Sequence, residues 1–458
     1  MAKKEAVFHL FYRRNPFQGG FAVASGLEYI IDYIKHFKFS EDDISYLASL
    51  RDSEGELHFS NEFLQELKDL EFSCDIDAVP EGTVVFPYEP LIRVSGPIIQ
   101  CQLLESPLLT LFNFPTLIAT KASRVCLAAE NDTVLEFGLR RAQGIDGALT
   151  ASRSAYIGGV HATSNVLAGK LFDIPVKGTH SHAWVMAFDD EEESFRSFAE
   201  AQPGNSIFLV DTFNTVEGVK KAIRVGKWLE SIGKQMIGIR LDSGDLAYLS
   251  RVSRKMLDDA GMPYAKIFAS NELDEIIITE LKRQGAKIDI WGVGTNLVTG
   301  KDHPALDGVY KLSAIRDPEG PWHYTLKLSE QMRKVSNPGV LQVRRFFNED
   351  GAVADAIYDI HNHPKEDSQW TLVDPFDSTR RKHMSNEWES KDLLEPIFKK
   401  GRLVYQTPPI GQIRQSTIDH LAQFHSGVKR FLNPHSYPVG MEKQLYEKKI
   451  ELISRIRS

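Results

Sequence analysis

His180 and His182 stand two apart in Gly178-Thr179-His180-Ser181-His182-Ala183-Trp184, directly after the apolar run Phe172–Val176. A strand ending there would present both rings at the mouth of an α/β domain, where catalytic side chains project. Two imidazoles at this spacing could ligate a divalent metal, one could act as nucleophile or acid–base group, or both could simply pack. A metal site would need more histidines at later strand ends. Those ends carry Asp211, Arg240, Asp242, Asn271 and Thr295 instead, and an arginine is electrostatically wrong beside a dication. The expectation is a histidine working beside anions, with no metal held by a protein cage.

Arg240-Leu241-Asp242-Ser243-Gly244-Asp245 is the second cluster. Strand side chains alternate, so Arg240 and Asp242 share a face. A guanidinium suits a bidentate carboxylate or phosphate contact, while Asp242 could hold a ribose hydroxyl or orient Arg240. The plainer alternative is a structural ion pair, with Asp245 capping the next helix. In Gly292-Val293-Gly294-Thr295-Asn296, Gly292 and Gly294 would let backbone approach an oxygen-rich ligand beside free helical N–H groups. Arg140 and Arg141, before Gly144, either face a pyrophosphate or lie in solvent. Together these residues ask for an anionic, phosphorylated sugar substrate without naming a reaction.

The positioning elements follow from the rhythm of the chain. Short β-type runs at 133–137, 174–176, 206–210, 235–240, 265–269 and 288–292 alternate with helical stretches. The polar residues just past them recur roughly every thirty positions, the length of one βα unit. This points to an irregular (β/α) barrel rather than a doubly wound sheet, since no GxGxxG opens a helix. Before it, strands at 6–12 and 83–94 and helical spacing at 20–50 and 60–70 indicate an α+β domain. After residue 316, prolines and glycines break the chain into short strands, and a charged helix closes it at 442–457. The expected division is 1–115, an N-terminal α+β domain; 116–316, the barrel-like catalytic domain; and 317–458, a C-terminal domain closing over both.

The 458 residues carry a formal charge of −8, which disfavours a nucleic-acid surface. Three cysteines, none in a CxxC pair, suit a reducing compartment. No run approaches 18 consecutive apolar residues, so no membrane span is expected. The first apolar stretch meets Arg13 and Arg14 too soon for a signal peptide, and the cytoplasm is the expected location. The acidic run 189–193 reads as a solvated helix start.

These motifs resemble the nicotinate phosphoribosyltransferase family. The matching stretches are Phe11–Phe17, Asn113–Lys121, Phe137–Gly144, Thr163–Asn165, Gly178-Thr179-x-x-His182-x-Trp184, Arg240–Asp245, Gly292-x-Gly294-Thr295-Asn296 and Asn433–His435, in family order over nearly the whole chain. The resemblance implies that nicotinate and 5-phosphoribosyl 1-pyrophosphate give nicotinate mononucleotide and pyrophosphate, coupled to ATP hydrolysis with Mg²⁺. It implies that His182 is transiently phosphorylated, that Thr179 and Arg240 contact nicotinate, and that Thr295 contacts the phosphoribosyl group. Arg140, Asp242, Gly292 and Gly294 match positions lining that site, and His180 falls on a variable one. It also implies a homodimer with shared sites. Family members carry a segment like Thr-Asp-x-Tyr ahead of the match that begins here at Lys4, its tyrosine stacking on nicotinate across the dimer. Either the start lies upstream, or half the aromatic clamp is missing and the chain is a weakened binder. Pro107 and Pro115 depart from the family's Thr and Gln. The rival readings are nicotinamide phosphoribosyltransferase and a metal-dependent barrel hydrolase built on His180 and His182.

Overall fold

The computed structural model describes residues 3–364 and 369–458. Strand β1, Glu5–Tyr12, is buried at every position after Glu5, as an unbroken apolar run in a central strand should be. It pairs antiparallel with β2 (Ile92–Pro97) on one side and with Gly308–Arg316 on the other. Strands Asp75–Ala78, His323–Tyr324, Glu395–Lys399 and Arg402–Leu403 complete a seven-stranded sheet, so distant parts of the chain build it together. The reading of 83–94 as a strand needs correcting. Val84–Val85 pairs with Ala22–Val23 in a separate ribbon, because Pro87 and Pro90 interrupt the run. Helices Leu27–Lys35, Glu41–Ser49 and Asn61–Lys68 fall where helical spacing was expected.

Helix α1, Glu105–Ala129, is roughly 37 Å long at 1.5 Å per residue. Leu108 and Phe112 enter the core beneath the first sheet, whereas Ile118, Ala122 and Val125 enter the core of the parallel sheet. Pro107 sits in the first turn, where no intrahelical N–H is needed. Pro115 is interior and buried, so Leu111 loses the hydrogen bond its carbonyl would accept. Gly26, at φ +106°, fits against that carbonyl; a Cβ there would stand 2.1 Å from the oxygen. Counting consecutive apolar residues overlooked one property of this region. Ile98–Ala129 is long and apolar enough to cross a membrane, and half of its most apolar window is buried inside the fold. Lys121 and Arg124 within it lie 2.6 and 2.8 Å from the buried Glu275 carboxylate, where solvation is replaced by pairing.

Strands β3 (Thr133–Glu136), β4 (Ala162–Thr163), β5 (Ile207–Leu209), β6 (Gly238–Leu241), β7 (Lys266–Ala269) and β8 (Ile290–Val293) form a parallel sheet ordered β4-β3-β8-β7-β6-β5. Their short apolar runs suit strands covered on both faces by helices. Five of the expected strands appear, shifted at their ends. Ile174–Val176 does not: it contributes one parallel bridge, Val176 to Thr163, and the strand in that region is β4. Pro175 lacks the N–H that would continue a ladder. The paired backbone thus runs from Val176 to β5, and among the described residues no strand pairing joins those two edges.

His182 opens the short helix α2, His182–Met186, and the acidic run starts α3, Glu191–Ala201. One acid departs from the solvated reading, since Glu191 is buried and 3.5 Å from Lys221. The last third of the chain forms a six-stranded sheet around Leu341–Asn348 and Gly351–Asp359. The closing helix, Lys443–Arg457, is capped by the Glu442 carboxylate, which accepts from the Gln444 and Leu445 N–H groups.

Candidate active site

The C-terminal ends of the parallel strands and the 178–182 loop enclose two adjoining cavities of about 270 and 170 Å³. Thr179, His180 and His182 line the larger; Ser270, Glu272, Gly292, Gly294 and Thr295 line the smaller. Phe137, Arg140, Arg240 and Asp242 belong to both. Every site residue expected from the sequence therefore lies on one of these walls. His182 arrives there from a loop and helix start rather than from a strand end.

Arg240 is the one charged residue in the Gly-Ile-Arg-Leu strand β6. Its Nε donates to Ser270 Oγ at 2.8 Å, Nη1 to Thr179 Oγ1 at 2.9 Å and Nη2 to Asp242 Oδ1 at 2.9 Å. The guanidinium lies 5.6 Å from the Phe137 ring centroid, a cation–π distance. A guanidinium has five N–H groups, so one remains on each terminal nitrogen. Burial raises the Asp242 carboxyl, but the Ser270 hydroxyl and Arg240 outweigh it and hold its pKa below the usual range. Asp242 is thus anionic at neutral pH. Ser270 was not foreseen; it directly follows β7 and neighbours Asn271, the residue the spacing did single out.

His182 faces polar groups at both ring nitrogens. Nδ1 is 3.1 Å from Thr212 Oγ1, while Nε2 is 3.6 Å from Asp242 Oδ2 and 4.0 Å from Asp211 Oδ1. Asp211 accepts at Oδ2 from the Asp242 N–H at 2.8 Å and from Ser243 Oγ at 2.7 Å. Its side chain is 1% exposed, and Oδ1 is buried with no hydrogen-bond partner among the described residues. Such an oxygen is costly to leave unpaired, which marks Asp211 as part of the site. The sequence placed it at a strand end without giving it a role. Two carboxylates beside Nε2 favour the tautomer protonated there.

His180 behaves differently. Its ring is buried, with Nε2 accepting from the Leu209 N–H at 3.2 Å. Burial pushes its pKa down to about 4, assisted by Arg240 and His182 and opposed by the Ser181 backbone. The unfolded ring takes a proton below pH 6.5 and the folded ring does not until about pH 4. Stability from this group is therefore complete above pH 6.5 and lost as pH falls toward 4, by about 3 kcal/mol. Urea denaturation of the native chain and of His180→Gln at pH 7 and 4.5 checks this, the variant showing the smaller drop.

The glycine loop differs in detail from its expected use. A Cβ on Gly292 would meet the Phe137 ring at 2.8 Å, and one on Gly294 would stand 3.2 Å from the Phe137 carbonyl. Both glycines thus seat the Phe137 loop against β8. The helix that follows is only Thr295–Val298, too short to carry much macrodipole. Asn296 Nδ2 donates to the carbonyls of Glu272 at 2.9 Å and Leu273 at 3.2 Å, fixing the loop beside Thr295.

Residues 1–113 match the nicotinate phosphoribosyltransferase (NAPRTase) N-terminal domain, 133–316 the nicotinate phosphoribosyltransferase (NAPRTase) family, and 341–449 the nicotinate phosphoribosyltransferase C-terminal domain. The chain is 43% identical to a nicotinate phosphoribosyltransferase of Bacillus subtilis, across all of this chain and 92% of that one. It is 35% identical to one of Dictyostelium discoideum, over 96% of this chain and 83% of that one. Its structure resembles human nicotinic acid phosphoribosyltransferase with a TM-score of 0.85 and 28% identity, covering 98% of this chain and 96% of the other. The motifs, the shared site and these similarities over the full length agree, and the chain belongs to the nicotinate phosphoribosyltransferase family.

Proposed function

We propose that the chain joins nicotinate to 5-phosphoribosyl 1-pyrophosphate, forming nicotinate mononucleotide and releasing pyrophosphate, the first step of NAD salvage from nicotinate. The observation carrying the substrate choice is the donor count on Arg240. Three of its N–H groups are committed to Ser270, Thr179 and Asp242, and the two left, one per terminal nitrogen, match the two oxygens of a carboxylate. A nicotinamide would oppose one of those donors with its own NH₂, leaving a half-buried donor unpaired. Held this way, the pyridine nitrogen attacks C1 of the ribose as the C1–pyrophosphate bond breaks. Catalysis is then mainly positioning and stabilisation of departing charge, for which Arg140, Arg141, Thr295 and the backbone around Gly294 line the smaller cavity.

Coupling to ATP would run through His182. With Nε2 protonated and facing Asp211 and Asp242, the Nδ1 lone pair attacks the terminal phosphorus of ATP, ADP leaves, and the carboxylates balance the charge on the phosphorylated ring. In this tautomer Nδ1 accepts from the Thr212 hydroxyl, and that bond must give up the lone pair before the attack. Among the described residues no group of three or more His, Cys, Asp or Glu is placed to hold a metal. Asp242 and Glu272, both on the wall of the smaller cavity, would face Mg²⁺ that arrives on substrate phosphates rather than cage it. The ion would neutralise phosphate charge.

The same reading divides the chain at 1–115, 116–316 and 317–458, the first boundary falling inside helix α1, takes the parallel sheet as an irregular (β/α) barrel, and places the protein in the cytoplasm. Free cysteines at 74, 101 and 126 suit that compartment. Leu139, on the wall of the larger cavity, is exposed, as are Ile145, Met186 and Phe213 nearby in sequence; a second copy would cover them. Light scattering is expected to give a mass near twice 51.7 kDa; a monomer at micromolar concentration would refute the dimer. The activity is tested by product formation with and without Mg-ATP. ATP-stimulated nicotinate mononucleotide is expected, and turnover that needs no phosphoribosyl pyrophosphate would overturn the reading.

A further inference from the structure

The two unjoined edges of the parallel sheet leave a seam at the mouth of the site. Flanking β5, the Val210 N–H donates to the Arg240 carbonyl and the Ser206 carbonyl accepts from Ile237, so these groups face β6. The Leu209 N–H alternates to the opposite side, where the acceptor is the imidazole of His180. Asn205 Nδ2 adds a second tie, donating to the Gly178 carbonyl at 3.3 Å. The ring thus fills the place that a carbonyl of a neighbouring strand would take. It is 7% exposed and packs on α3, edge-on to Phe198 at 4.9 Å and tilted to Phe195 at 5.9 Å.

What the ring holds matters for the chemistry. Leu209 pairs with Arg240 in the β5–β6 register. The residue before His180 is Thr179, whose hydroxyl accepts from Arg240 Nη1. The bond from Leu209 to the ring therefore ties the loop bearing Thr179 to the strand beside Arg240, with the longer Asn205 contact at its edge. We infer that His180 is a positioning residue which, by accepting from the Leu209 N–H, closes the seam and holds Thr179 on the Arg240 guanidinium. The inference rests on the reading that Arg240 holds the nicotinate carboxylate.

The test uses the full chain with three substitutions. His180→Phe keeps the ring packing but removes the acceptor, His180→Gln returns an acceptor near the Nε2 position, and Arg240→Met removes the clamp. Releasing Thr179 from its place on Arg240 predicts a rise in the nicotinate KM of about 10- to 100-fold in His180→Phe, the scale of one hydrogen bond to a charged group. The KM for phosphoribosyl pyrophosphate should stay within about twofold, and His180→Gln should recover most of the loss. Hydrogen exchange at the Leu209 amide should be slow in the native chain and fast in His180→Phe. A normal nicotinate KM in His180→Phe, with a raised one in Arg240→Met, overturns the role of His180. A normal nicotinate KM in Arg240→Met overturns the clamp on which it rests. Equal losses in every kinetic constant would mean a general structural role, also against the inference. Should His180→Phe fail to fold, fast exchange at Leu209 in the native chain would refute it alone.

Discussion

His182→Ala is expected to abolish the gain from ATP and to lower kcat/KM, measured with Mg-ATP, by about 10²- to 10⁴-fold. The ring is placed for this role by contacts that a bystander would not need. Thr212 meets Nδ1, while a buried carboxylate with an unpaired oxygen stands near Nε2. Label from the terminal phosphate of ATP should appear on the native protein and be absent from the variant. Full ATP stimulation in the alanine variant would sink the phosphohistidine reading. The cavity walls other than His182 remain intact in that variant, so an unstimulated rate near that of the native chain without ATP is expected beside the loss.

Arg240→Met should raise the nicotinate KM by about 30- to 5,000-fold, since truncating one side of a buried, charge-assisted contact costs about 2–5 kcal/mol. It should also erase the preference for the acid over nicotinamide. Arg240→Lys restores charge without the planar fork, so it should recover only part of the affinity. Comparing KM values for both pyridines in the two variants decides the matter; a preserved preference in Arg240→Met would place the carboxylate elsewhere. Asp242 must be watched, because it loses one of its two anchoring donors and keeps Ser270.

The site was legible where chemistry and periodicity coincide. Arg240 and Asp242 share a strand face, as alternation requires, and Gly294, Thr295 and Arg140 reach the same cavities because all the parallel strands end on one side. Asp211 was placed at a strand end without a role, and Ser270 was missed, for a physical reason. An aspartate or serine past a strand is commonplace, and only the three-dimensional approach to His182 or Arg240 gives either a task. His180 is the sharper case, because no spacing rule says that an imidazole will replace a strand carbonyl. In the fold, the apolar runs of β5 to β8 announced themselves, while β4, with two residues, carries too little pattern to read. The apolar stretch at 174–176 looked like a strand and made a single bridge, since Pro175 cannot donate to a ladder.

Helix α1 has one more consequence. Its first turns belong to the core beneath the antiparallel sheet and its last turns to the core beneath the parallel one, with no loop between them in which the two could part. A rigid rod shared by two hydrophobic cores makes each core's integrity a condition of the other's. Loss of either would strip α1 of half its burial and expose Lys121, Arg124 and Glu275 together. The N-terminal and catalytic regions thus amount to one thermodynamic unit. The catalytic stretch excised at its family boundary would begin after α1 has ended, and would leave behind the helix its core is packed upon.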